Sequence, residues 1–145
     1  MDMFDGLELS PRKVDYIKFL MEKGTTLKVT EIASHFSIDP STVTKALHDL
    51  KEMGLIVHEH YGGIHLSEFG KKYGMFLLRR HRILGLILTH YGLSGEEACK
   101  EVSRFESHVS RKAINKMCRS LGHPTSGICG RITHDELCMG HSAEN

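Results

Sequence analysis

The stretch 29–54, VTEIASHFSIDPSTVTKALHDLKEMG, constrains this chain more than any other. It reads as two short helices around a tight turn. The first spans 30–36, with Ile32, Ala33 and Phe36 on one face. Ser37-Ile38-Asp39 makes the turn, and the second helix opens at Asp39-Pro40. Asp39 can accept from the orphan amides of a first helical turn, and Pro40 at the first helical position gives up an N–H that has no partner there. Val43, Ala46, Leu47, Leu50 and Met53 then recur at helical spacing, which predicts that they point inward. The opposite face carries Ser41, Thr42, Thr44, Lys45 and His48, short donors and acceptors around one cation. Such a face can enter a major groove and bond base edges and phosphates. A capped amphipathic helix with a solvated polar face has the same pattern, so the neighbouring segments decide.

Ser10-Pro11 starts a preceding helix that runs to Lys23 and stops at Gly24, behind a leader (1–10) that reads as frayed. After Gly54, LIVHEHYGGIHLS reads as a hairpin: a strand over 55–60, a Tyr61-Gly62-Gly63 turn and a strand over 64–66. A hairpin placed just after a recognition helix is a wing, with His58, His60 and Tyr61 as its outward groups. Ser67 caps a long helix to about His90, whose Tyr73, Phe76, Leu77, Leu84, Ile87, Leu88 and Tyr91 form a broad stripe. That is more apolar surface than a small winged domain can cover. Buried apolar area stabilises at roughly 25 cal/mol per Å², so the stripe predicts packing against a second copy. A two-fold dimer is the commonest closed form, and it sets two recognition helices about one DNA turn apart, as a palindromic site requires. Further helices are predicted from the capping box Ser94–Glu97 to Phe105 and from Ser110 to Leu121. The fold class is therefore mainly α, a winged helix-turn-helix over 1–70 followed by a helical domain over 71–121 and a tail over 122–145.

Charge is unevenly spread. Residues 1–70 hold 7 Lys and Arg against 11 Asp and Glu, whereas 71–100 hold 6 against 2. An acidic DNA-binding half needs its cations clustered on one face, or a bound cation to offset the acids. No apolar run spans a bilayer and no secretory leader opens the sequence, so no membrane partner and a cytoplasmic location are expected. An enzyme built on Cys and His is not expected: there is no Gly-rich phosphate loop, no HExxH and no Cys at a strand–helix elbow.

Four cysteines and 11 histidines stand out. Cys118, His123, Cys129, His134, Cys138 and His141 follow one another with four, five, four, three and two residues between. Thiolate and imidazole select zinc, ferrous iron or an iron–sulfur cluster, and with Cys99 the tail could supply four thiolates. A metal-free redox pair, or unconnected reduced thiols, remain alternatives. The tail has little apolar material, so it is either disordered or organised by a ligand.

The order of segments, DPSTVTKALHDLKEMGLI, YGGIHLSEFGKKYG, RRHRILGLIL and ACKEVSRFESHVS, resembles the diphtheria-toxin-repressor family of iron- and manganese-dependent repressors, in its short form without an SH3-like domain. The similarity covers about 10–121. It implies a homodimer that binds a palindromic double-stranded operator when a divalent metal, Fe²⁺ or Mn²⁺, joins the DNA-binding domain to the dimerisation and metal-sensing domain at 71–121. It also implies ligands. Asp15, in DYIK, and His81, in RRHR, match ligand positions, as does Glu106, and Cys99 falls near an ancillary ligand histidine. The chain departs from the pattern at Lys18, Gly85, Ser103 and Ser107, where other members place ligands, although His108 adjoins the last. Asp15, His81, Glu106 and either Cys99 or His108 would remain. A charged Lys18 repels a neighbouring cation, which leaves that site depleted or abandoned, with the tail as its replacement. A capping or packing role for His81 and a winged-helix assembly module with a structural zinc are the competing readings.

Overall fold

A computed structural model describes residues 4–135 and Cys138. The element order is α1 (Pro11–Lys23), α2 (Val29–Phe36), α3 (Pro40–Glu52), β1 (Ile56–Glu59), β2 (Gly63–Leu66), α4 (Glu68–His90), α5 (Gly95–Phe105), a 3₁₀ turn (Glu106–His108), α6 (Arg111–Ser120), β3 (Ser126–Gly127) and β4 (Gly130–Arg131). The architecture is a winged helix-turn-helix followed by a helical domain. The chain forms two compact units, Arg12–Gly74 and a second made of 4–11 with the described residues from Met75 onward. The tail is thus part of the second unit and not a third body.

The winged unit is built around Ile17, Leu20, Ile32, Val43, Leu47, Leu50, Leu55, Ile64 and Tyr73, all buried. Tyr16 and Phe19 of α1 meet Phe36 of α2 at ring separations of 5.2 and 5.5 Å. Ser37 closes α2 in the left-handed region at φ 54°, and its N–H returns to the last turn. Asp39 caps α3 by accepting from the Ser41 amide at 3.0 Å. The Ser41 hydroxyl, and then that amide, hold the Asp39 carboxyl below the usual carboxylate range. Met53 departs from the helical periodicity: it caps α3 and is 40 % exposed, because the helix ends at Glu52 before the stripe can carry it inward.

In the wing, Ile56 pairs with Leu66 and Glu59 with Gly63, so the connecting loop is His60-Tyr61-Gly62 and Gly63 belongs to the strand. A third line of pairing comes from Leu27, which exchanges both backbone hydrogen bonds with Ile64, at 2.8 and 2.7 Å. Gly63, at φ +83°, allows this, since a Cβ there would stand 2.7 Å from the Leu27 carbonyl oxygen.

Residues 4–10 are not a frayed leader. The buried Arg80 guanidinium donates to the Gly6 carbonyl at 2.8 Å and to Val109 at 3.1 Å, and the Arg111 amide donates to Asp5 at 2.7 Å. Phe4 meets Phe76 edge-on at 5.4 Å. Gly6 lies so close to the Phe76 ring that a Cβ would stand 2.6 Å from it. The segment therefore packs into the second unit by a buried cation and two rings. Among the described residues no helix is long and apolar enough to cross a membrane.

α4 leaves the winged unit at its second turn, and on its first turn it packs without a side chain. Gly70 lies against the Leu55 carbonyl, where a Cβ would be 1.9 Å from the oxygen. Backbone cannot yield as a side chain does, so Gly70→Ala is expected to cost about 3 kcal/mol, the upper end for overpacking. The measurement is the urea midpoint at unchanged slope.

Candidate functional site

His81 sits on the fourth turn of α4 and is buried. Its Nδ1 lies 3.2 and 3.3 Å from the two carboxylate oxygens of Glu106, itself buried in the 3₁₀ turn. Its Nε2 lies 3.1 Å from Cys99 Sγ on α5. The capping box of α5, with Ser94 and Glu97 exchanging side-chain and amide bonds at 3.1 and 2.8 Å, fixes the start of the helix that presents Cys99. The third member of the group is Cys129: ligand atoms of His81, Cys99 and Cys129 lie within 4.8 Å of one another.

Cys129 reaches this place on a hairpin. β3 and β4 pair antiparallel, Ser126 with Arg131 and Gly127 with Gly130, and the Ile132 amide bonds Thr125 at 2.9 Å beneath them. The hairpin is laid on α4. A Cβ on Gly85, one helical turn beyond His81, would stand 2.5 Å from Ile128 Cδ1, and one on Gly127 would stand 3.0 Å from Arg82 Cβ. Arg82 donates to the Arg131 carbonyl. Although Cys129 as a residue is exposed, its thiol is turned in far enough that burial, then the Cys99 sulfur, pushes its pKa up, against the Arg82 guanidinium.

A carboxylate on Nδ1 and thiols toward Nε2 is the arrangement of a metal-ligating histidine, whose free ring N–H is held by an acid. Glu106 holds Nδ1 and lies outside the cluster formed by His81, Cys99 and Cys129. Asp15 is exposed in the winged unit, and His108 is exposed on the 3₁₀ turn; neither belongs to a metal-ligand cluster among the described residues.

The remaining tail residues form a second group. Cys118 and Cys138, both fully buried, lie 3.5 Å from Nδ1 of His123, and Cys118 is 3.8 Å from Nδ1 of His134. Burial, then the Cys118 sulfur, raises the Cys138 thiol. Burial, then His123 and Arg79, lowers His134. The four cysteines are therefore divided two and two, and a single centre of four thiolates is not what the fold assembles. His141 lies outside the described residues. Sequence reasoning named the tail ligands but not their partition. The signal for Cys129 was Gly85, a bare spot on α4 that admits the hairpin.

On the winged unit Ser41, Thr42, Thr44, Lys45 and His48 are all exposed on α3. Two hydroxyls are engaged within the helix start: Ser41 with the Asp39 carboxylate and Thr44 with the Pro40 carbonyl at 3.0 Å. Thr42, Lys45 and His48 complete the outward face. At the wing loop His60 meets Tyr61 edge-on at 4.5 Å, and Tyr61 is 96 % exposed.

The comparisons with known proteins agree in both halves. Residues 8–64 match the family described as iron dependent repressor, N-terminal DNA binding domain, and 67–132 match iron dependent repressor, metal binding and dimerisation domain. The HTH-type transcriptional regulator MntR of Geobacillus kaustophilus (strain HTA426) is 34% identical over 111 residues, which are 74% of this chain and 79% of that protein. The protein SSo2273 from Sulfolobus solfataricus superposes with a TM-score of 0.75 at 26% identity, over 87% of this chain and 100% of that one. ScaR with bound Zn²⁺ superposes at 0.70 with 27% identity, over 83% of this chain and 62% of that one.

If the Gly85–Ile128 contact seats the hairpin, Gly85→Leu lifts it. Trypsin cleavage after Arg131 should then accelerate while helical circular dichroism is kept.

Proposed function

The chain belongs to the family of iron-dependent repressors, a metal-dependent transcriptional repressor of the diphtheria-toxin-repressor and MntR type, and we propose that its sensing ligands are His81, Cys99 and Cys129. The observation that carries this is the His81 ring. Glu106 takes the proton of Nδ1 in a hydrogen bond, which leaves the Nε2 lone pair facing Cys99. Arg82 beside Cys129 only partly opposes the rise that burial and the Cys99 sulfur impose on that thiol. Two thiolates and an imidazole are soft donors. They suit Fe²⁺ or Zn²⁺ and disfavour Mn²⁺, which is weakest in the divalent series and prefers carboxylate oxygen. A bound divalent cation supplies a cross-link between α4, α5 and the β3–β4 hairpin.

α4 supports a route from that cross-link to DNA. The helix that carries His81 begins in the winged unit, and Gly74 is about 10 Å along it from His81 at 1.5 Å per residue. Fixing α4 at His81 biases the helix that enters the DNA-binding fold, and the operator-competent population rises by the difference in metal affinity between the two states.

The chain acts as a homodimer on a palindromic operator in the cytoplasm. Leu86, Ile87 and Leu88 are half-buried and Tyr91, just beyond them, is 79 % exposed; Phe105 of the same unit is also exposed. That apolar surface is suited to a second copy. Thr42, Thr44, Lys45 and His48, with Ser41 at the cap, read the groove, and His60 and Tyr61 of the wing lie beside it. The matched relatives are transcriptional regulators, which supports this reading over an enzyme or an assembly module.

The test is operator affinity, on the upstream region of its own gene, with metal-free protein under anaerobic conditions. Fe²⁺ or Zn²⁺ should tighten binding and Mn²⁺ at equal free concentration should not. Equal affinity with chelator and with every ion would end the proposal, and a brown iron–sulfur chromophore would redirect it. Lys45→Ala and Thr42→Ala should each cost about 1–3 kcal/mol of operator affinity, at unchanged mass in solution and unchanged metal content.

A further inference from the structure

We propose that Cys118, His123, His134 and Cys138 form a second, structural zinc site, a clamp that closes the tail and holds Cys129 against α4. The clamp stands on its own geometry; the delivery of Cys129 rests on the reading of the first cluster given above.

The spacing of donors fits the ion. A tetrahedral zinc with Zn–S of about 2.3 Å and Zn–N of about 2.05 Å has sulfur–nitrogen edges of about 3.6 Å. Three of the four such edges here are 3.5, 3.5 and 3.8 Å; Cys118, His123 and Cys138 form the tight group, and His134 adjoins it at Cys118. The donors come from three pieces of chain: the end of α6, the turn that follows it, and the residues after β4. Two cysteines and two histidines form a frequent set for a structural zinc, and their sulfurs select against hard cations.

Two further observations point to a bound cation of this kind. His123 has φ 54°, immediately after Gly122 at φ 77°. Residues with a side chain rarely adopt that region, and where they are held in it the reason is frequently a functional one. Here the outcome is an Nδ1 aimed at both thiols. The second observation is Arg79. Its guanidinium is 2 % exposed, and none of its nitrogens has a hydrogen-bond partner among the described residues. The nearest carboxylate, Asp135 at 4.0 Å, already accepts two bonds from Arg111. The Arg79 charge bears on both Cys138 and His134. A buried cation is costly unless paired; Arg79 shares Asp135 with Arg111, and thiolates bound to zinc would add negative charge in its surroundings.

The tail needs such a device. Its two strands are two residues each, and a hairpin of that size has no independent stability. Ile132 is its main buried apolar side chain. His123 and His134 bracket the hairpin, so an ion bound by both closes the loop at whose tip Cys129 stands. Binding free energy at such a site is folding free energy for the segment.

The experiment isolates the clamp. Cys99→Ser with Cys129→Ser removes both thiols of the first cluster and none of the clamp's ligands. That chain, reduced and metal-free, should bind one Co²⁺ with tetrahedral ligand-field bands and a thiolate charge-transfer band, and Zn²⁺ should displace it. His134→Ala in the same background should weaken Co²⁺ binding at least about tenfold, as loss of a direct ligand exceeds loss of a supporting group. No thiolate-bound cobalt, or an affinity unmoved by His134→Ala, overturns the clamp. His134 is half-exposed, so this variant tests the site without opening the core. In the otherwise unaltered chain with Zn²⁺, His134→Ala should speed trypsin cleavage after Arg131 severalfold, and an unchanged rate overturns the role assigned to the hairpin. Cobalt binding in the double variant, alongside operator affinity that ignores metal in the parent chain, would sink the sensing function and leave the clamp standing.

Discussion

A buried imidazole between a carboxylate and a thiol organises the second unit. Glu106 is buried, and a buried carboxylate needs hydrogen-bond donors or a cation. His81 provides one of them on Nδ1, and in doing so it fixes which nitrogen faces Cys99. The elements around the ring then have little freedom. α5 must run so that Cys99 comes within 3.1 Å, and the 3₁₀ turn must follow at once so that Glu106 can turn back under the same ring. The short 3₁₀ segment, an abrupt break after eleven helical residues, is the local cost of placing both partners on one histidine.

The DNA-binding half was legible because its signals are local. Asp39-Pro40 fixes the start of α3 to the residue, Ser94 with Glu97 does so for α5, and the capping geometry in both agrees with the sequence. Helix extents followed from spacing of three and four, and the wing from two glycines between alternating runs. Failures came where partners are distant in sequence. Nothing near Gly6 announces that Arg80, seventy-four residues on, will bond its carbonyl. Leu27 reads as a loop residue, yet it supplies a third line of pairing to the wing through Ile64. Met53 was misplaced because periodicity does not say where a helix stops.

The metal residues divide in the same way. His81 and Cys99 are set by helices and could be named from the resemblance and from spacing. Glu106 could be named, but that it faces Nδ1 and leaves Nε2 to Cys99 could not be read from the sequence. The partition of the tail was beyond sequence. Four cysteines can be grouped in several ways, and only the fold of 122–135 with the place of Cys138 puts Cys129 with α4 and leaves Cys118 and Cys138 together.

Gly85 connects these points, because one missing side chain does two things. The resemblance implies a Glu ligand one turn beyond the histidine in one subfamily; here Gly85 stands there, and the bare position admits Ile128. Ile128 carries its neighbour Cys129 to the histidine, so under the proposed assignment a thiol from the tail stands in for an oxygen donor. Restoring a carboxylate at that position would not recover an oxygen-rich site, since its Cβ alone would meet Ile128 at 2.5 Å. A side chain at position 85 and the present seat of Ile128 compete for the same space, so the isoleucine would have to turn aside to admit one.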